Sequence, residues 1–259
     1  MPADTPAPAA QPRLSVVIIA CNESRHIGAC LDSVAFADER IVLDSGSSDD
    51  TCDIARARGA IVHATPDWPG FGPQKNRALA LATGDWVLSL DADERVPPEL
   101  ADEIRAVLRA PQAQAYRMAR LSEAMGRAIR HGGWWPDHVL RLFRRGTARF
   151  SDDAVHEKVV AEGEVGLLRG HLLHYTYDSI DAMLAKMNRY STDSAQMMLQ
   201  RGKRATALGA IGHGVWTFIR MYVLRRGFLD GWQGLAIAST GAAGSFFRYL
   251  KLLDLRRRN

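Results

Sequence analysis

Cysteine is scarce in this sequence, and the most easily recognised metal and nucleotide motifs are absent. The 259 residues include three cysteines, and none of them forms a CxxC pair. This number and spacing fit reduced thiols better than a disulfide framework or a zinc site. Neither GxGxxG nor GxxxxGK[ST] occurs, and HEKVV lacks the second histidine of HExxH. Dinucleotide-binding, P-loop and zinc-protease functions therefore lose their main support.

Long apolar runs are missing as well. Two stretches without Asp, Glu, Lys or Arg, residues 205–219 and 231–247, contain 15 and 17 residues, and both are rich in glycine. A membrane-spanning helix needs about 20 apolar residues, so both stretches are short for that role. Arginine and lysine residues flank them. This mixture indicates helices that lie on an anionic membrane surface.

The start of the chain lacks the features of a signal peptide. MPADTPAPAAQP is rich in proline and alanine, and it has no basic start and no apolar region. We therefore predict a disordered tail over residues 1–12 and a protein that stays in the cytosol. With 47% hydrophobic residues, the rest of the chain can bury a substantial core.

The net charge of +4 conceals an uneven distribution. Residues 1–200 carry 22 Lys and Arg against 27 Asp and Glu, whereas residues 201–259 carry 11 against 2. The positive charge thus lies at the C-terminal end, among apolar stretches instead of along a polar groove. This pattern favours an anionic membrane surface as a partner and argues against a nucleic-acid binder.

Short apolar runs alternate with helical patterns through the first 110 residues. We predict strands over residues 14–20, 39–44, 60–64 and 85–90. Such alternation predicts an α/β fold with a doubly wound, mostly parallel sheet, whose ligands bind beyond the carboxyl ends of the strands. Asn22, Asp44 and Asp91 all follow such strand ends, so we expect their side chains to converge.

The stretch LSLDADERVPPEL places Asp91, Asp93 and Glu94 directly after an apolar strand. Carboxylates at i and i+2 of an extended chain project to the same side, and a divalent cation between them relieves their repulsion. Mg²⁺ or Mn²⁺ fills its other positions with water and phosphate oxygens, which suits a nucleoside diphosphate. The alternative is that the three acids cap the helix that begins at VPPEL.

Three motifs in register, IIACNES, IVLDSGSSDDT and GDWVLSLDADE, resemble those of the inverting family 2 glycosyltransferases with the GT-A fold. The resemblance covers about residues 14–110. HGGWWPDHVLRLFRRG, AVHEKV, LLHYTY and RRGFLDGWQG extend it, and they resemble one branch in particular, the lipopolysaccharide inner-core β-1,4-glucosyltransferases. DSGS has a serine where many relatives have a second aspartate.

The resemblance implies a GT-A domain in two halves. We expect residues 13–110 to form its nucleotide-sugar-binding half and residues 111–178 its smaller acceptor-side half. Residues 179–259 would form a helical, basic, membrane-associating region.

The resemblance also implies which residues bind the donor. The nucleoside pocket would be lined by five residues, Ala20, Asn22, Glu23, Asp44 and Ser45. Asp91 would contact the ribose or the metal and Asp93 would hold the metal, with Ala92 in the same site. We add Lys75 and Arg77, on a helix starting near Pro73, as groups that could reach the diphosphate; the alternative is a solvated basic face.

Some GT-A enzymes use a histidine beyond the second lobe as an additional metal ligand, and His174 is the candidate here. The HxxH spacing of His171 and His174 would put both side chains on one face of a helix. The alternative is a structural histidine.

Inversion by direct displacement needs a general base on the acceptor side. The candidates are Asp152, Asp153, His156 and Glu157 of SDDAVHE and Asp137 of GGWWPD. We favour Glu157, followed by Asp153, because partial burial of a carboxylate raises its pKa. The alternative is that VHEKVV is an amphipathic strand with its charges outward. Trp134, Trp135 and Asp137 are candidates for binding the acceptor sugar, although the tryptophans could instead be aromatic core.

These features together predict a metal-dependent transferase that moves a hexose, glucose from UDP-glucose, onto a heptose of the lipopolysaccharide core. It would work at the inner face of the cytoplasmic membrane as a peripheral protein. The alternatives are a family 2 transferase that acts on a polyprenyl phosphate or another surface glycan, and an inert nucleotide-sugar-binding scaffold.

Overall fold

The computed structural model describes residues 11–151 and 158–258 of the chain. The described residues form two compact units. The first contains those up to Met118 and those within His138–Leu172, and the second contains Ala119–Asp137 and those from Leu173 onward. The chain therefore passes between the units three times, and neither unit is one continuous segment.

Eleven strands and seven α-helices make up the regular structure of the described residues. The strands are β1 (Leu14–Ala20), β2 (Glu39–Asp44), β3 (Ile61–Ala64), β4 (Trp86–Asp91), β5 (Glu94–Arg95), β6 (Ala115–Ala124), β7 (Arg127–Ala128), β8 (Asp137–Arg144), β9 (Ala148–Phe150), β10 (Val159–Ala161) and β11 (Val165–Tyr177). The helices are α1 (Ile27–Ser33), α2 (Thr51–Ala57), α3 (Phe71–Leu81), α4 (Pro98–Arg109), α5 (Ile180–Gln200), α6 (Ala207–Phe218) and α7 (Gly231–Arg258). A π-helical segment (Ile219–Leu224) and a 3₁₀ turn (Gly227–Asp230) connect α6 to α7.

The larger sheet is mixed. Its strand order is β3-β2-β1-β4-β8-β6-β11-β5, with β7 paired to β6. β1 runs parallel to both β2 and β4, and β2 runs parallel to β3, as the sequence predicts. β8 is antiparallel to β4, so the parallel arrangement ends there. β9 and β10 form a separate antiparallel pair.

The core of the first unit lies on both faces of the parallel strands. Val16 and Ile18 of β1 are fully buried in one apolar cluster, and Val17 is buried in the other. Alternation of side chains along a strand explains this division. Helices α1 and α4 pack into the first cluster and α3 into the second. The predicted doubly wound arrangement is therefore confirmed for this part of the sheet.

The second unit is mainly helical beyond residue 179. Ser179 caps α5 by accepting a hydrogen bond from the Ala182 amide at 3.1 Å, and Thr206 caps α6 in the same way. Helices α5 and α6 both pack on α7. The start of α7 approaches the 3₁₀ turn so closely that a Cβ on Gly234 would lie 1.9 Å from the Gly227 carbonyl oxygen. Only glycine fits at that position.

Many large apolar side chains of the C-terminal helices are exposed. They are Leu208, Ile211, Val215, Trp216, Ile219, Val223, Leu224, Phe228, Leu229, Trp232, Leu235 and Phe247, and we call them the exposed apolar set. Exposed apolar surface of this extent marks interaction with a partner or a membrane. Among the described helices, none has both the length and the hydropathy needed to cross a bilayer.

Candidate active site

The carboxyl ends of β1, β2 and β4 meet at one edge of the sheet. In the register of the parallel pairs, Ala20 lies opposite Asp44, and Ile19 lies opposite Asp91. Asn22 follows β1 by two residues. The convergence predicted for Asn22, Asp44 and Asp91 follows from this register, because adjacent parallel strands end at the same edge.

Asn22 joins the loops that follow β1 and β2. Its backbone N–H donates to the Ser47 hydroxyl at 2.8 Å, and its side-chain oxygen accepts from the Ser48 N–H at 2.8 Å. The Glu23 N–H donates to the Thr51 hydroxyl at 2.7 Å. Asn22 has a φ of 57°, a left-handed conformation that asparagine adopts more readily than most residues. It therefore fixes a loop rather than capping α1, whose N-cap is His26.

Asp44 organises the loop that follows β2. Its Oδ2 accepts from the N–H groups of Gly46 and Ser47 at 2.9 Å, and its Oδ1 accepts from the Ser47 hydroxyl at 2.5 Å. The neighbouring Ser45 hydroxyl accepts from the Gln74 side chain at 3.0 Å. Asp44 is buried, and a buried carboxylate needs such donors. The DSGS loop thus has a fixed shape at the edge of the sheet.

The strongest charge cluster of this edge surrounds Asp91. Lys75 Nζ lies 2.8 Å from Asp91 Oδ1, and Arg141 Nη2 lies 2.5 Å from Asp91 Oδ2 and 2.6 Å from Glu94 Oε1. We call Lys75, Asp91, Glu94 and Arg141 the charged quartet. Lys75, Glu94 and Arg141 are at most 5% exposed, whereas the Asp91 side chain is 29% exposed. Two cations and two anions balance each other, as burial of charge requires.

The quartet keeps Asp91 ionised. Burial alone would raise the pKa of Asp91, but the charges of Arg141 and Lys75 outweigh burial and hold that pKa well below its usual range. Burial alone would lower the pKa of the Arg141 guanidinium, but the charges of Asp91 and Glu94 outweigh burial and raise that pKa. Asp91 is the one partly exposed member of the quartet, and its two ion pairs favour its ionised form.

Glu94 closes the turn that follows β4. Its Oε2 accepts from the Asp91 N–H at 3.1 Å, and Ala92 and Asp93 form the turn between them. The extended chain therefore ends at Asp91, and the i, i+2 geometry expected for Asp91 and Asp93 is wrong. The helix-cap alternative is also wrong, because α4 begins at Pro98.

The donor atoms at this turn suit Mg²⁺ or Mn²⁺. Asp91 and Asp93 supply hard carboxylate oxygens, and Mg²⁺ commonly takes one or two carboxylates together with water and substrate phosphates. The described residues contain no group of three or more His, Cys, Asp or Glu side chains placed to hold a metal ion. A metal at this turn would therefore need water or phosphate oxygens to complete its coordination.

Lys75 and Arg77 occupy different surroundings on α3. Lys75 is buried within the quartet, and its Nζ lies 5.2 Å from the centroid of the Phe150 ring. Arg77 is exposed and forms a bidentate ion pair with Asp67, at 2.9 and 2.8 Å. The solvated-face alternative therefore describes Arg77 and does not describe Lys75.

The acceptor-side candidates of the second unit are engaged with their own neighbours. Arg120 donates two hydrogen bonds to Asp137 Oδ2, at 3.0 and 2.7 Å. Trp134 packs against Tyr177, with ring centroids 6.1 Å apart, in a cluster that contains Met183. The Arg130 guanidinium lies 5.6 Å from the Trp135 ring. The contacts of Trp134 are thus those of a core residue, and Trp135 stacks on the Arg130 guanidinium.

The loop that carries both tryptophans is tied to the 3₁₀ turn. The buried Asp230 accepts hydrogen bonds from the N–H groups of Arg130 and His131, at 3.3 and 2.8 Å, and its Oδ1 lies 2.8 Å from His131 Nδ1. The Gly132 N–H donates to the Arg225 carbonyl at 2.9 Å. Asp230 therefore positions this loop.

His174 lies in a strand. The HxxH expectation of one helical face is wrong, because His171 and His174 both belong to β11, where residues three apart point to opposite faces. The His174 Nδ1 lies 3.1 Å from the Ser122 hydroxyl and 2.9 Å from the Thr176 hydroxyl. Its role as a metal ligand stays a prediction. The two candidates for the general base, Asp153 and Glu157, lie outside the described residues.

Sequence reasoning overlooked Arg141 and assigned Glu94 no role in the site. Arg141 interrupts the apolar run VLRLF of β8, and a charged residue inside a buried strand is rarely tolerated unless it is paired. That interruption was the available signal. Glu94 was recognisable as an acid after β4, but its contact with the Asp91 backbone depends on the turn geometry.

Comparisons with known proteins show the family to which the sequence is similar. The sequence model of Glycosyl transferase family 2 matches residues 15–159. The chain is 31% identical over 259 residues to an uncharacterized glycosyltransferase of Rickettsia prowazekii, with 94% of this chain and 87% of that protein covered. It is 33% identical over 251 residues to the lipopolysaccharide core biosynthesis glycosyltransferase LpsC of Rhizobium meliloti, with 92% and 91% covered.

A solved structure also matches part of the chain. It is glucosyl-3-phosphoglycerate synthase of Mycobacterium tuberculosis, in complex with Mn²⁺, UDP and glucosyl-3-phosphoglycerate. The identity is 33%, the TM-score is 0.37, and the match covers 43% of this chain and 44% of that protein.

Proposed function

Because the chain belongs to glycosyl transferase family 2 and has an α/β, GT-A-like fold, we propose that it transfers glucose from UDP-glucose to a heptose of the lipopolysaccharide inner core, with inversion. The observation that carries this proposal is the ionised, partly exposed Asp91 at the sheet edge where Asn22 and Asp44 also lie. A relative that covers nearly the whole chain is named for lipopolysaccharide core biosynthesis, which supports the choice of acceptor.

The donor nucleoside would bind in the fixed loops after β1 and β2. Asn22, Glu23 and Asp44 would line this pocket with Ala20 and Ser45. The hydrogen bonds between Asn22 and Ser48, and those within the DSGS loop, support this proposal because they hold the pocket in shape before the donor arrives. A preformed pocket loses less entropy on binding than a mobile one.

The donor diphosphate would bind beside Asp91. Asp91 and Asp93 would hold Mg²⁺ or Mn²⁺, which when bound neutralises negative charge on the departing diphosphate. Lys75 and Arg141 supply two positive charges beside the same carboxylate, at 2.8 and 2.5 Å. Both cations are balanced by Asp91 and Glu94 and lie next to the proposed position of the diphosphate. Ala92 lies in the same turn, and Arg77 would contribute only after leaving Asp67.

The acceptor hydroxyl would be deprotonated by a carboxylate of the 152–157 segment. As Glu157, or alternatively Asp153, takes the proton, the acceptor oxygen bonds to the anomeric carbon and the bond from that carbon to the diphosphate oxygen breaks. Attack from the face opposite the leaving group inverts the configuration. Trp134, Trp135 and Asp137 would contact the acceptor sugar, and His174 would add a metal ligand.

The C-terminal region would hold the protein at the inner face of the cytoplasmic membrane. Two observations support this proposal. The exposed apolar set lies in this region, and residues 201–259 carry 11 basic residues against 2 acidic ones. Apolar side chains that enter the interface, together with basic side chains that attract anionic lipids, bind a membrane peripherally.

The proposal is tested by incubating the purified protein with radiolabelled nucleotide sugars and truncated lipopolysaccharide that ends in heptose, with and without a chelator. We expect transfer from UDP-glucose that stops when the chelator is added. Transfer to a polyprenyl phosphate, but not to heptose, would favour the alternative acceptor. Binding of UDP-glucose without transfer to any acceptor would indicate an inert scaffold and refute the proposal.

A further inference from the structure

The helical part of the second unit contains a cavity of about 240 Å³. Met183 and Met187 of α5, Met221 of the π-helical segment and Ile237 of α7 supply much of its apolar wall. Gly241 and Gly244 let two of these methionines pack closely against α7, since a Cβ at either position would approach Met221 or Met187 to 2.8 or 3.1 Å. The volume is below the roughly 300–1,000 Å³ of sites that enclose whole drug-sized ligands.

Most polar groups that line this cavity are neutral hydroxyls, and one lining residue is a cation. Among the described residues that line it, Arg248 is the one with a charge, and its Nε is buried without a hydrogen-bond partner. Burial and the neighbouring Tyr190 raise the pKa of Tyr177, so the hydroxyl of this wall residue stays neutral. An unpaired guanidinium nitrogen in an apolar wall favours an anionic ligand, because leaving such a donor unsatisfied is costly.

A second cation lies behind the same wall. Lys251 Nζ is within 2.9 Å of four neutral oxygens, two from Asn188 and one each from the hydroxyls of Ser191 and Thr192. Ser191 also lines the cavity. Within the described part of the chain, neither Arg248 nor Lys251 forms an ion pair. No acidic side chain of the described residues therefore neutralises either charge, and the Arg248 guanidinium lies 5.2 Å from the centroid of the Tyr249 ring.

The cavity wall shares an element with the exposed apolar set. Met221 faces the cavity, whereas Ile219, Val223 and Leu224 of the same six-residue segment are exposed. An amphiphile from a lipid surface that contacts these exposed residues would meet the cavity nearby. A methionine-lined wall adapts to a flexible chain.

We infer that this cavity binds one apolar chain of an anionic lipid, with the lipid phosphate paired to Arg248 near Lys251. This lipid site is separate from the proposed sugar transfer, and lipid binding requires neither nucleotide sugar nor metal. Binding can therefore be measured when no transfer occurs, and failure of one proposal leaves the other open to its own test.

The experiment uses the full chain and lysophosphatidylglycerol with a photoactivatable group in its acyl chain. After irradiation, peptide mass spectrometry should locate the label on the segments that contain Met183, Met187 and Met221. Arg248→Gln should raise the half-maximal lipid concentration about tenfold, since a charge-assisted hydrogen bond is lost. Arg257→Gln, which removes an exposed charge from the same helix, should leave it within about twofold, in line with the small effect of an exposed charge.

A variant that fills the cavity with a larger side chain provides an independent test of lipid binding. Ser194 lines the cavity from α5, so Ser194→Leu should abolish labelling while Ser194→Ala keeps it, with circular dichroism confirming that both fold. Chemically matched lysophosphatidylcholine should compete more weakly because its head group has no net negative charge. The inference would be overturned if the label lay outside the cavity, or if R248Q and R257Q weakened lipid binding equally. It would also be overturned if the lipid-free protein formed a dimer that covered the cavity.

Discussion

Arg141 Nη2 lies 2.5 Å from the Oδ2 of Asp91, across 50 residues of sequence. The same nitrogen lies 2.6 Å from Glu94, so one buried guanidinium joins the partly exposed carboxylate to a fully buried one. Lys75 contacts the other oxygen of Asp91. The charge at the candidate diphosphate site therefore depends on strand β8 and helix α3 as much as on the DADE motif itself.

Arg141→Met tests the structural part of this relationship. The substitution removes the cation 2.6 Å from Glu94 while keeping much of the side-chain volume, so we expect the free energy of unfolding to fall by about 3–5 kcal/mol. Urea denaturation measures this change. The double variant R141M/E94Q should recover part of the loss, because it removes the buried negative charge as well. A single-variant loss below about 1 kcal/mol, typical of an exposed pair, would contradict the expectation.

The lowered pKa of Asp91 predicts a specific pH dependence. Because this pKa lies below the value of about 3.9 for an unfolded aspartate, the folded state favours the ionised form. The resulting stability is fully present above the unfolded pKa and is lost as the pH falls through the folded pKa. The difference in free energy of unfolding between the parent and Asp91→Asn should thus stay constant between about pH 5 and 8 and shrink below about pH 4.

Asp102→Asn is the matched control for this pH series. Asp102 pairs with Arg105 in an exposed contact on α4, so its substitution should change stability by less than about 1 kcal/mol at every pH. If the effect of Asp91→Asn varied between about pH 5 and 8, the carboxylate would be titrating near neutrality, contrary to the ordinary acidic range of a paired aspartate.

Asp93→Asn tests the proposed metal site. The amide removes the charge and weakens a hard oxygen ligand, so kcat with UDP-glucose should fall about 100-fold or more, the equivalent of several kcal/mol of transition-state stabilisation. Steady-state kinetics over a range of Mg²⁺ and Mn²⁺ concentrations measure the effect. Glu99→Gln, an exposed acid in the first turn of α4, should keep the parent rate. Parent activity in D93N would remove Asp93 from the metal site.

Glu157→Gln distinguishes the two candidates for the general base. Loss of the base should lower kcat by about 10²–10⁴-fold and leave the affinity for the nucleotide sugar nearly unchanged. Asp153→Asn is the matched comparison from the same segment. If E157Q kept the parent kcat and D153N lost it, Asp153 would be the base; full activity in both variants would exclude Glu157 and Asp153 as the base.

Trp216 and Trp232 provide a test of membrane binding. Both are more than half exposed, and each should contribute by entering the lipid interface. Replacing both with serine should weaken binding to vesicles that contain phosphatidylglycerol by about tenfold or more, given about 1.5–3 kcal/mol for burial of a large apolar side chain. Vesicle sedimentation measures the partition. Trp68→Ser, an exposed tryptophan in the first unit, should have no effect; equal losses would indicate non-specific adhesion.

The parallel half of the sheet was predictable because its strands are short β-branched runs. β1 and β2 have the predicted bounds, and β3 and β4 differ from theirs by one residue. The rule that ligands bind beyond the carboxyl ends of parallel strands then located Asn22, Asp44 and Asp91 together. Local periodicity was sufficient here because buried strands differ strongly from the polar loops between them.

The partners of Asp91 were not predictable from local patterns. Arg141 reaches Asp91 because β8 pairs with β4 in antiparallel register, and pairing between distant strands leaves no trace in the periodicity of either. His171 and His174 show a related difficulty, since HxxH fits a helix by spacing alone but lies in the 13-residue strand β11. Spacing identifies a face only after the type of element is known.

The threefold passage of the chain between its units constrains how the protein can be dissected. Residues Ala119–Asp137 belong to the same unit as the C-terminal helices, although the 35 residues of His138–Leu172 from the other unit come between them in sequence, roughly the length of a whole supersecondary motif. Truncation of the chain before α5 would remove most of the apolar neighbours of Ala119–Asp137. Swapping the C-terminal helices between relatives would therefore have to exchange two sequence segments at once.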